Sequence, residues 1–463
     1  MTTVGILGGG QLARMLALAG APLGLRFLVM DTVADACAGQ FAPLLVGDYR
    51  DTAALAEFAS RIDVATFDFE NVPAESAQWL SARVPVFPNP GALAIAQDRL
   101  AEKTLFRELG IPVPAFADIA TRAQLDAAIA EIGVPCILKT RRLGYDGKGQ
   151  FRIKEPGFGY GEWGMGTAQT QTQFANDAKS AKGTQELVHR TVDVDATAAQ
   201  TPDNLLPLSL RPSRHSRTVS ASASSRAASP ANTDAAWHAL GPQVATVGLI
   251  LEAFVPFERE LSVVAARGRD GQFQAWSLTE NWHVDGVLSA SLSPARVDDA
   301  LNATAFDYAR RLADRLDYTG VFALELFCRD GQLLANELAP RVHNSGHWTI
   351  EGAETSQFEN HLRAVLGLPL GATRGVGHAC MLNWIGARPD ALPVLREAGG
   401  HWHDYGKSPR DGRKVGHATL RAESADALAD TLQRVGTALG REAQVAPVIA
   451  RLRSPVRQRF NPA

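Results

Sequence analysis

The chain is poor in the features that mark secreted, membrane-spanning or nucleic-acid-binding proteins. Only four cysteines, Cys37, Cys136, Cys328 and Cys380, occur in 463 residues. They are widely spaced with no C-x-x-C pair, which excludes a disulfide framework and a zinc ribbon. Their apolar surroundings are those of small core residues. No uninterrupted apolar run is long enough to span a bilayer. The opening MTTVGILGGGQ has neither the basic n-region nor the apolar core of a signal peptide, so a cytoplasmic location is expected. An excess of one charge sign is missing too: the formal net charge is -3 and the pI about 6.4. This lends nothing to binding of nucleic acid or membrane. Hydrophobic content of 46% and charged content of 21% are ordinary for a globular chain, and the length suggests about two to four domains.

What is present alternates strand and helix. Residues 3–7, 26–30 and 64–67 read as buried strands, and 11–20 and 51–60 as helices. This β-α-β rhythm predicts a parallel sheet with helices on both faces, closed by Pro88-Asn89-Pro90-Gly91. A second α/β region follows. Helices are predicted over 98–109 and 121–132, with Thr121 as N-cap. Strand 136–139 ends in a lysine and leads into a glycine-rich hairpin, 143–150. Strands at 248–256 and 260–267, a helix over 299–316, strands 321–328 and 332–338 about an Asp330-Gly331 turn, and a helix over 355–366 complete it. The last hundred residues read as a smaller unit, with strands 379–385 and 414–421 and an amphipathic helix near 424–439. From Arg441 there is little pattern. Residues 155–232 lack sustained periodicity, running from a Gly-rich start to a Ser/Arg/Ala-rich end. They are expected to be a largely disordered insertion.

Several motifs carry chemistry. Gly8-Gly9-Gly10-Gln11-Leu12-Ala13 follows a strand, opens a helix and matches G-x-G-x-x-A, with Asp31 closing the next strand. It reads either as a phosphate-binding turn or as a tight turn without a ligand. Lys139 with the loop Gly144-Tyr145-Asp146-Gly147-Lys148-Gly149-Gln150 suits a lid over nucleotide phosphates; it lacks Walker A spacing. Glu252-Ala253-Phe254-Val255 with Glu260 offers backbone groups for an adenine edge and a carboxylate for ribose hydroxyls. Glu325 lies opposite Asn336 or Glu337 across the Asp330-Gly331 turn. In the second register two carboxylates share a face, which destabilises a sheet unless a cation lies between them; oxygen ligands beside phosphates suit Mg²⁺. The stretch Ala339 to Thr349 gathers Arg341, His343, Asn344, Ser345 and His347, with Arg341 suited to bidentate anion binding. Lys407, Arg413 and Lys414 beside glycine turns read as a substrate-phosphate site or as a solvated basic hairpin.

Together the strings GGGQLARM, KTRRLGYDGKGQ, NELAPRVHNSGHWT and GRKVGH resemble the 5-(carboxyamino)imidazole ribonucleotide synthase family of ATP-grasp ligases, over roughly residues 1–154 and 233–440. The resemblance implies an α/β (α+β) chain of three domains: Rossmann-like at 1–98, a two-lobed ATP-grasp domain at 99–367 holding the insertion, and a small C-terminal domain at 368–463. It implies ATP contacts at Arg99, Lys139, the 144–150 loop, residues 252–255, Glu260, His283, Asn336 and Glu337, and Mg²⁺ on Glu325 and Glu337. It places an aminoimidazole ribonucleotide on Gln11, Glu70, Asp146, Lys148, Arg341, His343, Asn344, Ser345, Lys407 and Arg413, so that the glycine turn serves the ribonucleotide and not NAD. It also implies a homodimer. Two features depart from the family: the insertion, in the lid lobe, and Lys148, where some relatives have Arg.

The expected reaction is phosphorylation of bicarbonate by ATP to carboxyphosphate, then attack of the ribonucleotide amine to give a carbamate. Asp146, Lys148, Arg341 and His343 would orient the reactants, Asp146 or His343 serving as base. So labile a product suggests hand-off to a mutase. Other readings of the residues are a formate-using ATP-grasp transformylase, a nicotinamide-dependent oxidoreductase argued from G-x-G-x-x-A and Asp31, and a non-catalytic binding protein.

Overall fold

Short runs of aliphatic and β-branched residues build the first sheet. Thr3–Leu7 (β1), Arg26–Asp31 (β2), Leu44–Val46 (β3) and Val64–Phe67 (β4) pair in parallel in the order β3-β2-β1-β4. Side chains alternate across a strand, so β1 feeds two cores. Val4 and Ile6 pack with Leu12 and Leu16 of helix Gln11–Gly20, whereas Leu7 packs with Leu55 and Phe58 of helix Thr52–Ser60. Both faces are covered, as the sequence predicts.

The computed structural model describes residues 1–144, 149–154 and 230–454, all within one compact unit of the chain. The loop positions Tyr145, Asp146, Gly147 and Lys148, and residues 155–229 of the expected insertion, lie outside the described residues. The end of that segment is structured: Pro230–Leu240 is a helix that buries Ala236 and Leu240, one turn apart, in the core of the second sheet. That sheet comprises Phe116–Ile119 (β5), Cys136–Thr140 (β6), Gln150–Ile153 (β7) and Leu249–Ala253 (β8), antiparallel in the order β5-β8-β6-β7. Helix Arg122–Ile132 packs on it, with Thr121 and Gln124 forming a full capping box; this ties two amides that a helix start otherwise leaves orphaned.

The third sheet has nine strands: Arg259–Arg267 (β9), Phe273–Ala275 (β10), Thr279–Val284 (β11), Val287–Ser293 (β12), Gly320–Arg329 (β13), Gln332–Ala339 (β14), His378–Gly386 (β15), Gly400–Asp404 (β16) and Arg410–Ala422 (β17). They run β14-β13-β9-β11-β12-β15-β17-β16, with β10 beside β9. The C-terminal strands, read from sequence as a unit apart, thus continue the central sheet, because β15 pairs with β12. Strands β11, β12 and β16 carry too many polar residues to stand out in sequence, and β10 is only three residues long. The patternless stretch after Arg441 is in fact a helix, Glu442–Arg453; its internal Pro447 masks a stripe of Val445, Val448, Ile449 and Leu452 that packs on the third sheet. All four cysteines are buried and free. Among the described residues no helix is long and apolar enough to cross a membrane.

One hairpin controls the site. Asp330 and Gly331 both have positive φ, +52° and +69°, the twist-compatible turn for a two-residue hairpin. From that turn the ladder runs Arg329 to Gln332 up to Leu326 to Ala335, and then a bulge shifts it so that Glu325 faces Glu337. Asn336 is the surplus residue. We expect Gly331→Ala, which forces a Cβ into the left-handed region, to destabilise the protein by about 1–2 kcal/mol, read as a lower urea midpoint; an unchanged midpoint would contradict this role of the turn.

Candidate active site

The facing pair is not left bare. Glu337 is bonded by Arg99, Nη1 to Oε2 at 2.9 Å, and Glu325 by His343, Nε2 to Oε1 at 3.3 Å, while Asn336 Nδ2 reaches Glu325 Oε2 at 3.4 Å. Burial and the neighbouring Glu337 charge push Glu325 up to about 8. Burial acts on Glu337 in the same direction, but Arg99, with Lys139 and His343, outweighs it and holds that carboxyl below its usual range. One carboxyl therefore keeps a proton near neutrality while the other is charged, the arrangement expected where two carboxylates share a site without a counter-cation. Among the described residues no group of three or more His, Cys, Asp and Glu is arranged to hold a metal ion. The donor set, two converging carboxylates without soft ligands, fits Mg²⁺ whose remaining ligands are phosphate oxygens and water.

Beside the pair lies a buried cation cluster. Glu252 at the end of β8 accepts from Lys139 of β6 at 2.9 Å and lies 3.3 Å from Lys103. Burial raises the Glu252 pKa, but Lys103, Lys139 and Arg99 more than offset this and bring it to about 2. Its Oε1 is buried without a hydrogen-bond partner. Lys139 is lowered, first by burial and then by Arg99 and Lys103. Ala253 and Phe254 donate their backbone amides to Ala115 and Pro135 carbonyls, and the Val255 carbonyl accepts from Phe257. Glu260 bonds His283 Nδ1; burial disfavours the imidazolium, but this partner raises the histidine pKa nonetheless. Of the glycine-rich loop, Gly144 accepts from Arg99 Nη2 at 3.3 Å, Gly149 accepts from the Thr140 amide, and Gln150 pairs with Lys139 in the ladder.

The other predicted residues converge on the far side of the pair. Arg341 bonds Glu70, and Lys407 bonds Gln11. Asp68, unpredicted, lies between them: it is buried, which raises its pKa against the pull of Arg341 and Lys407. Arg413 is partly exposed and donates to the Ser408 carbonyl at 3.4 Å. Lys407 is lowered by burial, with Arg413 and Lys414 adding like charge.

Three expectations change. The glycine turn has its amides filled by protein carboxylates: Gly9 donates to Asp31 and Gly10 to Asp68, both at 2.5 Å. The residues between β1 and its helix are therefore bonded inward, and Asp31 is turned to the loop, not outward to a ribose. Asn344 and Ser345 also point inward. Asn344 exchanges hydrogen bonds with Asn383, and Ser345 Oγ links Ser262 Oγ to His343 Nδ1, each at 2.8 Å. Asn344 is thus satisfied by Asn383, and Ser345 holds His343 from beneath the loop. The Ser345 amide also donates to His343 Nδ1, at 3.3 Å, leaving the ring proton on Nε2, aimed at Glu325. Burial, then Arg341 and Lys414, push His343 down to about 3, so the ring is neutral and, in this tautomer, a donor.

Sequence reasoning missed Asp68, Gln357, Glu102 and Lys103. Gln357 clamps the His343 backbone at both ends, accepting from its amide at 2.9 Å and donating to its carbonyl at 2.7 Å. Nothing local in the sequence signals Asp68 or Gln357. Glu102 and Lys103 were accessible: they fall three and four residues after Arg99 on one helix face, where a core-facing helix normally carries apolar residues.

The pair has a pH signature in the metal-free protein. Glu325 binds its proton more tightly folded than unfolded, so its contribution to stability is whole below about pH 4.5 and declines as pH rises to about 8. Glu325→Gln should therefore gain stability relative to the parent between pH 5 and 8, and no further above that. Denaturant titrations across that range check this; a constant difference would refute it.

Three family models match the chain: the ribonucleotide synthetase preATP-grasp domain over residues 1–97, the ATP-grasp domain over 104–170 and 216–358, and the phosphoribosylaminoimidazole carboxylase C-terminal domain over 379–431. The chain is 45% identical over 418 residues to N5-carboxyaminoimidazole ribonucleotide synthase of Pseudomonas aeruginosa, covering 90% of this chain and 94% of that one. Among solved structures, the N5-carboxyaminoimidazole ribonucleotide synthetase of Thermus thermophilus superposes with a TM-score of 0.74 at 42% identity, covering 94% and 98% of the two chains. The Aspergillus clavatus N5-carboxyaminoimidazole synthase in complex with ADP and 5-aminoimidazole ribonucleotide gives 0.71 at 25% identity, covering 97% and 98%. The facing glutamates, the arginine and histidine after them, and this likeness over nearly the whole described chain place the protein in the N5-carboxyaminoimidazole ribonucleotide synthase family of ATP-grasp ligases.

Proposed function

We propose that this protein carboxylates 5-aminoimidazole ribonucleotide on its exocyclic amine with bicarbonate and ATP, releasing ADP and phosphate, in purine biosynthesis. The observation that carries the reading is the juxtaposition of the Glu325–Glu337 pair with Arg341 and His343 on the segment directly after it. Nucleotide chemistry on one side is thereby joined to an anion-binding subsite on the other. We assign residues 1–98, 99–367 and 368–463 as the three domains, with a cytoplasmic homodimer as the working form and a mutase as the consumer of the product.

ATP lies between the second and third sheets, with Lys139, Arg99, the 144–150 loop, Glu252 to Val255, Glu260, His283 and Asn336 about it. Glu325 and Glu337 would hold Mg²⁺, which supplies neutralisation of charge on the phosphoryl oxygens. A bicarbonate oxygen attacks the γ-phosphorus as the bond to the ADP oxygen breaks, giving carboxyphosphate. Arg341 holds the anion, its guanidinium fixed by Glu70. The amine then attacks the carbonyl carbon, phosphate leaves, and the nitrogen loses a proton. His343, neutral and carrying its proton on Nε2, acts as a hydrogen-bond donor; this leaves Asp146 as our choice of base, with Lys148 orienting the reactants. Gln11, Lys407 and Arg413 hold the ribonucleotide, while Ser345 positions His343 from beneath. The chain forms no covalent intermediate, and positioning with electrostatics lowers the barrier.

ADP release with Mg-ATP and bicarbonate should rise strongly on adding 5-aminoimidazole ribonucleotide; no stimulation in a folded, ATP-binding protein would reject this acceptor. Arg341→Ala should lower kcat/KM by about 10²–10³. Lys407→Ala should raise the ribonucleotide KM by about tenfold or more with the ATP KM unchanged. Equal rises in both KM values would mean that Lys407 acts through the fold.

A further inference from the structure

The strand that carries Glu337 lies at the edge of the nine-stranded sheet. An edge strand turns one row of backbone groups away from its neighbour, and a bulge disrupts the ladder locally. Buried and unpaired, such groups are costly. Here the outward row is met by the segment containing helix Arg99–Glu108. Lys103 Nζ donates to the Asn336 carbonyl at 3.1 Å, Glu102 Oε1 accepts from the Leu338 amide at 2.5 Å, and the Ala335 amide donates to the Pro112 carbonyl at 2.7 Å. Arg99 takes the side chain of Glu337 between them. Residues 99, 102 and 103 occupy adjacent positions on one face of that helix, so a single face grips three consecutive residues, the bulged Asn336 and the two that follow it.

Lys103 is fully buried and Glu102 is 2% exposed. Burying two ionisable groups against backbone is expensive, and an edge strand can be covered by cheaper means. What this arrangement achieves is register. Without the bulge, continuing the ladder from the turn would set Glu325 against Asn336; with it, Glu325 meets Glu337. Lys103 also reaches Glu252 of the second sheet, so the same ammonium links the bulge to the nucleotide side of the site.

We propose that Glu102 and Lys103 are positioning residues for the divalent cation, holding the Asn336 bulge that sets Glu337 opposite Glu325. This rests on the reading of that pair as the cation site. Mn²⁺ serves as the probe, with free Mn²⁺ followed by electron paramagnetic resonance in the presence of ADP. Glu102→Ala removes the acceptor for the Leu338 amide and should weaken Mn²⁺ binding by about tenfold or more. Glu102→Gln keeps shape and acceptor and should restore it. Steady-state turnover should show the same split: in the alanine variant the half-saturating Mg²⁺ rises while saturating Mg²⁺ recovers kcat. Lys103→Met, which conserves buried volume, should weaken Mn²⁺ binding as Glu102→Ala does and carries the test if that variant does not fold. Folded Glu102→Ala or Lys103→Met protein that binds Mn²⁺ as tightly as the parent would overturn the proposal. A parent whose Mn²⁺ affinity is indifferent to Glu325→Gln and Glu337→Gln would instead overturn the cation site itself, which separates the two failures.

Discussion

Two carboxylates set opposite each other on neighbouring strands repel, and nearly every polar feature around the site answers that repulsion. Glu337 is claimed by Arg99; Glu325 keeps its proton and takes the Nε2–H of His343 and the amide of Asn336. Such a pair is a poor way to build a sheet. A dication between them would make it reasonable, because the charge that destabilises the free protein would be the charge that binds. A dication bound there would displace the proton on Glu325, which would couple binding to pH.

Arg99 reaches both Glu337 and the Gly144 carbonyl, so one guanidinium spans the strand that carries Glu337 and the start of the glycine-rich loop. Lys103 spans the same strand and Glu252. A planar, permanently charged fork suits the first task, which has two acceptors of different kinds, and a compact ammonium suits the second, which has no exposed surface at all. On the other side of the pair the support is neutral. Ser291, Asn281, Ser262 and Ser345 form a chain of hydrogen bonds running beneath the loop to His343. Each member is satisfied by the next, which is the condition under which a buried polar network rigidifies a site. The rigid target of that chain is one imidazole ring, held neutral and in one tautomer.

How much of this was legible depended on whether local pattern carried it. Strands β1, β4 and β13 and helices such as Arg122–Ile132 announce themselves by apolar period and caps, and lie where the residues predict. The glutamate pair was legible up to the choice of register, which a bulge decides and turn counting cannot. Asn344 and Ser345 were recognised as special but not as inward-pointing, since that depends on Asn383 and Ser262, distant in sequence. Strands β11 and β12 were invisible because Asn281 and Ser291 bury polar groups that only tertiary pairing satisfies. Helix Glu442–Arg453 hid behind Pro447.

The N-terminal turn shows why a fingerprint is a statement about backbone and not about ligand. G-x-G-x-x-A specifies a tight approach of helix to strand, and that much is present: Gly8 has φ +98°, and a Cβ on Gly10 would lie 2.5 Å from Asp68 Oδ2. A dinucleotide site needs the freed amides to face a pyrophosphate and the acidic residue on the second strand to face a ribose. Here Asp31 and Asp68 take the Gly9 and Gly10 amides themselves. A carboxylate is already an anion at a helix N-terminus, so it satisfies the same donors and the same dipole that a phosphate would. Filling the turn from within has a second effect. Asp68, buried, is flanked by Arg341 and Lys407, so its burial draws two cations toward one point between the N-terminal domain, the loop after β14 and the C-terminal hairpin. The turn thus anchors the carboxylate around which Arg341 and Lys407 gather.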